Sequence, residues 1–123
     1  MKISIVITNY NGRELLEKNL PSVIAAKENK ENNIIEIILV DDFSTDDSVK
    51  FLNTNYKNEI SLIKHTKNRG FSATTNTGVR ATRGDLVVLL NSDVSPESDF
   101  LNSIEENFKE ENVFAVSLHE KGY

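Results

Sequence analysis

Ile34-Ile35-Glu36-Ile37-Ile38-Leu39-Val40, followed at once by Asp41-Asp42-Phe43-Ser44, is the stretch on which the fold turns. A run with one polar residue reads as a central strand covered on both faces, because a strand with one wet face alternates instead. Upstream, Ile3-Ser4-Ile5-Val6-Ile7 is a second short, β-branched strand. Between the two, Leu15, Leu16, Leu20, Val23 and Ile24 recur at helical spacing and predict an amphipathic helix over 13–27. Pro21 removes one hydrogen bond from it and predicts a kink. The polar run Glu28 to Asn33 predicts a loop.

Downstream, Ser44-Thr45-Asp46-Asp47 offers a hydroxyl cap and first-turn acids for a helix of about ten residues. Ile60 to Ile63 is a third strand, and Phe71 to Ala81 a short helix with Ala73, Thr77 and Ala81 as a small-residue stripe. Leu86 to Leu90 reads as a fourth strand and the second fully buried one. Ser95-Pro96-Glu97 has the form of a helix start, a hydroxyl cap with Pro at the first position, and Phe100, Leu101, Ile104 and Phe108 would be its core face. Val113 to Leu118 is a fifth strand. Strands alternating with helices in this way predict an α/β fold, a mostly parallel central sheet with helices on both faces. Ligands of such sheets bind beyond the carboxyl ends of the strands, where the strand order reverses.

The 123 residues suit one domain, and 38% hydrophobic with 27% charged residues is ordinary for a globular chain. Leu86 to Leu90 is the longest apolar run, far short of a membrane span, and Met1-Lys2 leads into the first strand without an apolar leader. Cytoplasm is the default expectation for location. The absence of cysteine excludes disulfides, thiolate metal sites and thiol nucleophiles. A net charge of −5 is poorly suited to nucleic acid. Yet Ile60 to Gly84 holds five bases (Lys64, Lys67, Arg69, Arg80, Arg83) and no acid. That stretch is either a solvated positive face or an attractor for a small anion such as phosphate.

Strand one ends in Thr8-Asn9-Tyr10-Asn11-Gly12, which lacks both the glycines of a dinucleotide fold and the Gly-Lys-Ser/Thr of a P-loop. Asp41-Asp42 after strand two can be turn-forming acids, or one carboxylate can face the crevice and accept from a ribose or base. Asn91-Ser92-Asp93 after strand four is a turn signal alone. Beside Asp42 on one sheet edge, its oxygens suit a hard divalent cation bridging phosphates. A phospho-acceptor receiver domain shares the length and alternation. It would need an acid pair after strand one, an Asp after strand three and a Lys after strand five, where this chain has Thr8-Asn9, His65-Thr66 and Leu118-His119. His65 and His119 read as exposed or capping residues, and Phe71 as an anchor of its helix.

Four motifs in order, Ile3 through Gly12, Val40 through Asp46, Asn68-Arg69-Gly70-Phe71 with Asn76 and Gly78, and Arg83-Gly84-Asp85 with Leu89 through Asp93, resemble the family 2 glycosyltransferases of GT-A fold. The resemblance spans nearly the whole chain. It implies the Rossmann-like half of a GT-A fold, with residues 1–123 as its nucleotide-sugar-binding part and the acceptor half absent. By resemblance, Thr8, Asn9 and Tyr10 line the nucleotide, Asp42 recognises base or ribose, and Asn68, Gly70 and Asn76 wrap the sugar-nucleotide with Ser92. Asp93 is the metal ligand, with Asn91 as a weaker second, for Mn²⁺ or Mg²⁺. The basic Ile60–Gly84 stretch would sit near the diphosphate.

The motif's leading Asp is Asn91 here, a form similar to the rhamnosyltransferase-like branch, which removes one anion from the metal site. No residue matches the family's carboxylate base. The implied reaction is inverting transfer from a UDP- or dTDP-linked sugar to a glycan or lipid-linked acceptor in cell-surface polysaccharide synthesis, at the inner face of the membrane in the full-length context. The rival implication is a catalytically inactive nucleotide-sugar-binding or interaction module. An exposed fifth strand would invite pairing into a homodimer.

Overall fold

The computed structural model describes residues 1–102, 104–109 and 115. In chain order these form β1 (Ile3–Asn9), α1 (Arg13–Glu28), β2 (Ile34–Asp41), α2 (Ser48–Asn55), β3 (Ser61–Lys64), α3 (Phe71–Arg80) and β4 (Leu86–Asn91), with 3₁₀ turns at Lys30–Asn32 and Ile104–Phe108. The strands make one sheet in the order β3-β2-β1-β4, every neighbour parallel. Chain order runs outward from β1 through β2 to β3, then jumps back so that β4 flanks β1 on the other side. The reversal lies between β1 and β4, and a crevice is expected at their carboxyl ends.

Both faces of the sheet are covered. Ile3, Ile5 and Ile7 of β1 join Ile37 and Leu39 of β2, and they bury against Leu16, Leu20, Val23 and Ala26 of α1 and Leu52 of α2. Residues of opposite parity, Val6 and Val40, face α3, whose buried positions are Thr74 and Gly78. A Cβ at Gly78 would stand 2.4 Å from Val6 Cγ1 and 3.2 Å from Val40 Cγ2, so helix and sheet meet there at backbone distance. The inward stripe is therefore Thr74 and Gly78, one position round from the expected Ala73-Thr77-Ala81.

Three other expectations are corrected. α2 begins at Ser48 rather than after a Ser44 cap, because Ser44 is engaged elsewhere: its hydroxyl donates to Asp41 Oδ1 (2.6 Å) and accepts from the Asn11 amide (2.9 Å). Asp46 Oδ1 instead receives the Ser48 amide at 2.9 Å. β4 is not fully buried: it is the sheet edge among the described residues, and Leu89 is 57% exposed. The helix expected after Ser95-Pro96-Glu97 is a series of turns and a 3₁₀ segment.

Buried Asn32 supplies the physical reason for that last difference. Its amide donates to the Ser98 carbonyl at 2.6 Å and its Oδ1 accepts from the Leu101 amide at 3.1 Å, capturing groups that an α-helix would pair internally. The remaining amides fall to i−3 carbonyls, Phe100 to Glu97 and Ile104 to Leu101 at 3.1 Å each. Leu101 and Ile104 still enter the core, with Phe100 and Phe108 packed against it. α1 runs unbroken through Pro21. The fifth strand expected over Val113–Leu118 lies, apart from Ala115, outside the described residues, as does His119. Among the described residues no helix is long and apolar enough to cross a membrane.

Candidate functional site

A cleft of about 500 Å³ opens at the carboxyl ends of the strands. Its lining comes from three places: Thr8, Asn9 and Tyr10 at the end of β1; Asp42 after β2 with Asn68, Gly70, Phe71 and Thr74 around the start of α3; and Asn91, Ser92 and Asp93 at the end of β4. Leu15 of α1 completes it. The size lies in the range of small-molecule sites. Of the residues singled out in the sequence, Thr8, Asn9, Tyr10, Asp42, Asn68, Gly70, Asn91, Ser92 and Asp93 all meet there. Asn76 does not. It is exposed on α3, two residues past inward-facing Thr74 and so on the opposite side of the helix.

Asp42 and Asp93 share this cleft in very different states. The Asp42 side chain is 6% exposed, and its oxygens accept from His65 Nδ1 (2.8 Å) and from the backbone amides of Arg69 and Gly70 (2.9 Å each). An ionised carboxylate only accepts, so Nδ1 of His65 carries the proton in that contact. Nε2 of His65 lies 2.9 Å from the Thr77 hydroxyl, which also bonds the Ala73 carbonyl at 3.0 Å. Asn68 Nδ2 reaches the Asp42 carbonyl at 3.3 Å. Burial alone would raise the Asp42 pKa, but the bonds from His65, Arg69, Gly70 and Thr74 together hold it below its ordinary value. The Asp42 carboxylate therefore ties the end of β2 to the loop that starts α3. Gly70, at φ +92, occupies the left-handed region that this loop requires.

His65 is thus not the exposed or capping residue expected: its side chain is 6% exposed and links Asp42 to α3. No spacing signal pointed to it, since its partners lie 23 and 12 residues away.

Asp93, by contrast, is exposed, and among the described residues nothing in the protein bonds its carboxylate. Asn91 is exposed beside it. Among the described residues no group of three His, Cys, Asp or Glu side chains comes together as a metal cage. One free carboxylate and an amide oxygen on a cleft wall still fit a hard cation of the kind that keeps water and takes its other oxygens from substrate phosphates.

The β1 end is held as firmly as the Asp42 loop. Asn9 Nδ2 donates to Asp41 Oδ1 at 2.9 Å and to the Ser44 hydroxyl at 3.3 Å. Its Oδ1 is buried without a partner among the described residues, and a Cβ at position 12 would come within 2.6 Å of it, which reserves that place for Gly12. Tyr10 and Phe71 are 53% and 67% exposed, so two aromatic faces are open at the cleft. Phe71 does not anchor its helix, and Leu15, expected in the core, turns to the cleft instead.

The basic segment does not assemble at the cleft. None of its five Lys and Arg residues lines it, and Arg83 pairs with buried Glu36 at 3.1 Å. Glu36 also accepts from Ser4, which places Arg83 at the amino end of the sheet, the far end from Asp93. The alternation of strand and helix that laid these bases out along the chain also delivers them to opposite ends of the sheet.

A parallel α/β sheet with its cleft at the switch point belongs to the open α/β class, whose ligands bind at that place, and comparison with known proteins narrows it. The family model for Glycosyl transferase family 2 matches residues 4–122, so the chain belongs to that family. It is 34% identical over 121 residues to a poly(ribitol-phosphate) beta-glucosyltransferase of Bacillus spizizenii, covering 96% of this chain and 19% of the relative. It is 29% identical to a dolichol-phosphate mannosyltransferase of Pyrococcus furiosus, covering 99% of this chain and 34% of that one.

Among solved structures, S. aureus TarS 1-349 in complex with UDP-GlcNAc superposes with a TM-score of 0.73 at 24% identity, over 86% of this chain and 30% of that one. The mannosyltransferase PcManGT from Pyrobaculum calidifontis, in complex with GDP-Man and Mn²⁺, gives 0.74 at 23%, over 91% and 33%. At those identities the likeness speaks for the fold alone, which is the Rossmann-like α/β arrangement expected. The chain spans about a third or less of the length of these relatives.

Proposed function

We propose that this chain is the donor-binding part of a glycosyltransferase, taking a nucleotide-diphosphate sugar into the cleft for inverting transfer to an acceptor hydroxyl. The observation that carries the reading is the meeting of the β1, β2 and β4 ends at the sheet's switch point, with Asp93 alone of the cleft's two carboxylates free to take a ligand. Tyr10 and Phe71 offer faces on which a nucleobase can stack. Thr8 and Asn68, also in the lining, offer polar groups to the ribose. Asp93, with Asn91, would hold Mn²⁺ or Mg²⁺ against the diphosphate, and the cation would neutralise the charge on the departing nucleotide. Complexes of the two structural neighbours, with UDP-GlcNAc and with GDP-Man and Mn²⁺, support a donor of this chemical class.

Asp42 takes a role different from the one implied by resemblance. With its oxygens engaged by His65, Arg69 and Gly70, it shapes the donor loop, and any bond to the nucleoside is additional. Neither cleft carboxylate is left as a base for the acceptor. That proton has to go to a group outside the described cleft. Asn91, a neutral amide where the family motif has an Asp, favours a second reading, a module that binds a nucleotide sugar without transferring it. A cytoplasmic location belongs with both readings.

Calorimetric titration of UDP, dTDP and GDP, each with and without Mn²⁺, tests the donor site. Binding strengthened by the cation is expected for at least one of them. No heat in any combination would overturn the reading. A glycosyl-transfer assay on the longest natural chain separates enzyme from module.

A further inference from the structure

Asn19 lies in the middle of α1 and is 5% exposed. Asparagine is a poor choice for a helix interior, because its side chain competes with the backbone for hydrogen bonds. A buried amide must also find partners for two donors and an acceptor. Here Nδ2 donates to the Leu15 carbonyl one turn back and to the Ser92 carbonyl, both at 3.0 Å. Its Oδ1 accepts from the Ser95 hydroxyl. Two of the three bonds therefore land on the loop after β4, one immediately before Asp93 and one two residues after it. The loop closes on itself through the Val94 amide and the Asn91 carbonyl at 3.2 Å.

Asp93 has no bond of its own among the described residues, so its position is set by the backbone that carries it. Among the described residues, Asn19 is the one side chain from another element that bonds the Asn91–Ser95 loop. We infer that Asn19 is a positioning residue for the cation site: it bolts the Asn91–Ser95 turn to α1 and so holds the Asp93 carboxylate at the cleft wall. The role rests on the proposed reading of the cleft as a nucleotide-sugar and cation site. Outer partners that orient a metal ligand commonly govern affinity as strongly as this geometry suggests.

The test measures nucleotide affinity with and without Mn²⁺ by calorimetry on the full chain, for wild type, Asn19→Leu and Ser95→Ala. UDP, dTDP and GDP serve as probes, and a thermal melt checks folding. Asn19→Leu keeps the side-chain volume and removes all three bonds. It is expected to cut the Mn²⁺-linked gain in affinity by about 10–100-fold. Metal-free nucleotide affinity should stay within about twofold, because Asn19 makes no bond to Thr8, Tyr10, Asn68 or Phe71, the residues proposed to hold the nucleoside. Ser95→Ala removes one neutral bond and should lose about fivefold of the same gain.

A purely structural role would lower both affinities together, or neither, and either result overturns the assignment. Should Asn19→Leu fail to fold, Ser95→Ala decides alone: an unchanged Mn²⁺-linked gain overturns it. Wild-type nucleotide binding that ignores Mn²⁺ would instead overturn the cation reading of the cleft, and this role with it, while leaving the nucleotide site standing.

Discussion

Two walls of one cleft carry an aspartate each, and the two aspartates are opposites. On the β2 side Asp42 is buried and takes donors from His65, Arg69 and Gly70. On the β4 side Asp93 is exposed and unbonded among the described residues, while the loop beneath it is gripped by Asn19. One wall is built by its carboxylate and the other is built to present one. A buried charge persists only where it is fully hydrogen-bonded, and a group so satisfied has little left for a ligand. Two acids that look interchangeable as strand-end residues thus divide the work of the site.

The sharpest way to break this contrast is to remove Asp42. Asp42→Ala leaves His65 Nδ1 and two backbone amides without their acceptor in a buried place. It should cost about 3 kcal/mol or more, lowering the melting temperature by on the order of 10 °C in a chain of this size. His65→Ala removes a single donor from Asp42 and the Thr77 contact, and should cost about 1–2 kcal/mol. Thermal and urea melts of the two variants check both values. If Asp42→Ala melts with the wild type, the β2 wall does not depend on its carboxylate and the contrast fails.

Acid should expose the same wall more gently. Asp42, Asp46 and Glu36 all have pKa values held below the ordinary carboxylate range, in each case because hydrogen bonds outweigh the upward push of burial. A carboxyl that is a stronger acid when folded adds stability that is complete above its unfolded value, about 4. That stability is lost as pH falls through the folded value. Wild-type stability should therefore be level near neutrality and decline below about pH 5. Asp42→Asn should start lower and decline less steeply, the remaining slope coming from Asp46 and Glu36. Chemical denaturation at stepped pH reads the two slopes, and equal slopes would remove Asp42 from the account.

How much of this was legible in the sequence follows from the range of each interaction. Alternating strand and helix patterns are local, and they predicted the parallel sheet, the helices on both faces and the strand ends that meet in the cleft. The errors come from side chains whose partners are distant along the chain. Ser44 looks like a helix cap until Asp41 and Asn11 claim its hydroxyl. Ser95-Pro96-Glu97 looks like a helix start until Asn32 takes the Ser98 and Leu101 backbone groups.

The site shows the same division. Asp42 and Asp93 could be singled out because strand ends converge by topology, whereas Thr8, Tyr10 and Asn68 follow from the family resemblance. That Asn76 does not line the cleft could not be read without knowing which face of α3 turns inward. His65 and Asn19 act through contacts spanning 23 and 73 residues, which no local pattern encodes. The two readings of the basic stretch could not be separated for a related reason: sequence proximity of charges says nothing about which end of a sheet each one reaches.

The smallest expected effect on folding is the most informative about function. Asp93→Ala removes an exposed carboxylate with no bond among the described residues, and its stability should match wild type within about 0.5 kcal/mol. The same variant should abolish the Mn²⁺-linked part of nucleotide binding, because Asn91 is neutral and supplies one amide oxygen where a carboxylate is needed. A melt and a titration on one sample check both halves. A variant that unfolds would mean Asp93 carries structure after all, and one that binds Mn²⁺ and nucleotide as before would move the cation elsewhere. Stability untouched and cation linkage lost is the signature of a side chain whose bonding capacity the fold has left open, and the buried network around Asp42 is built to the opposite specification.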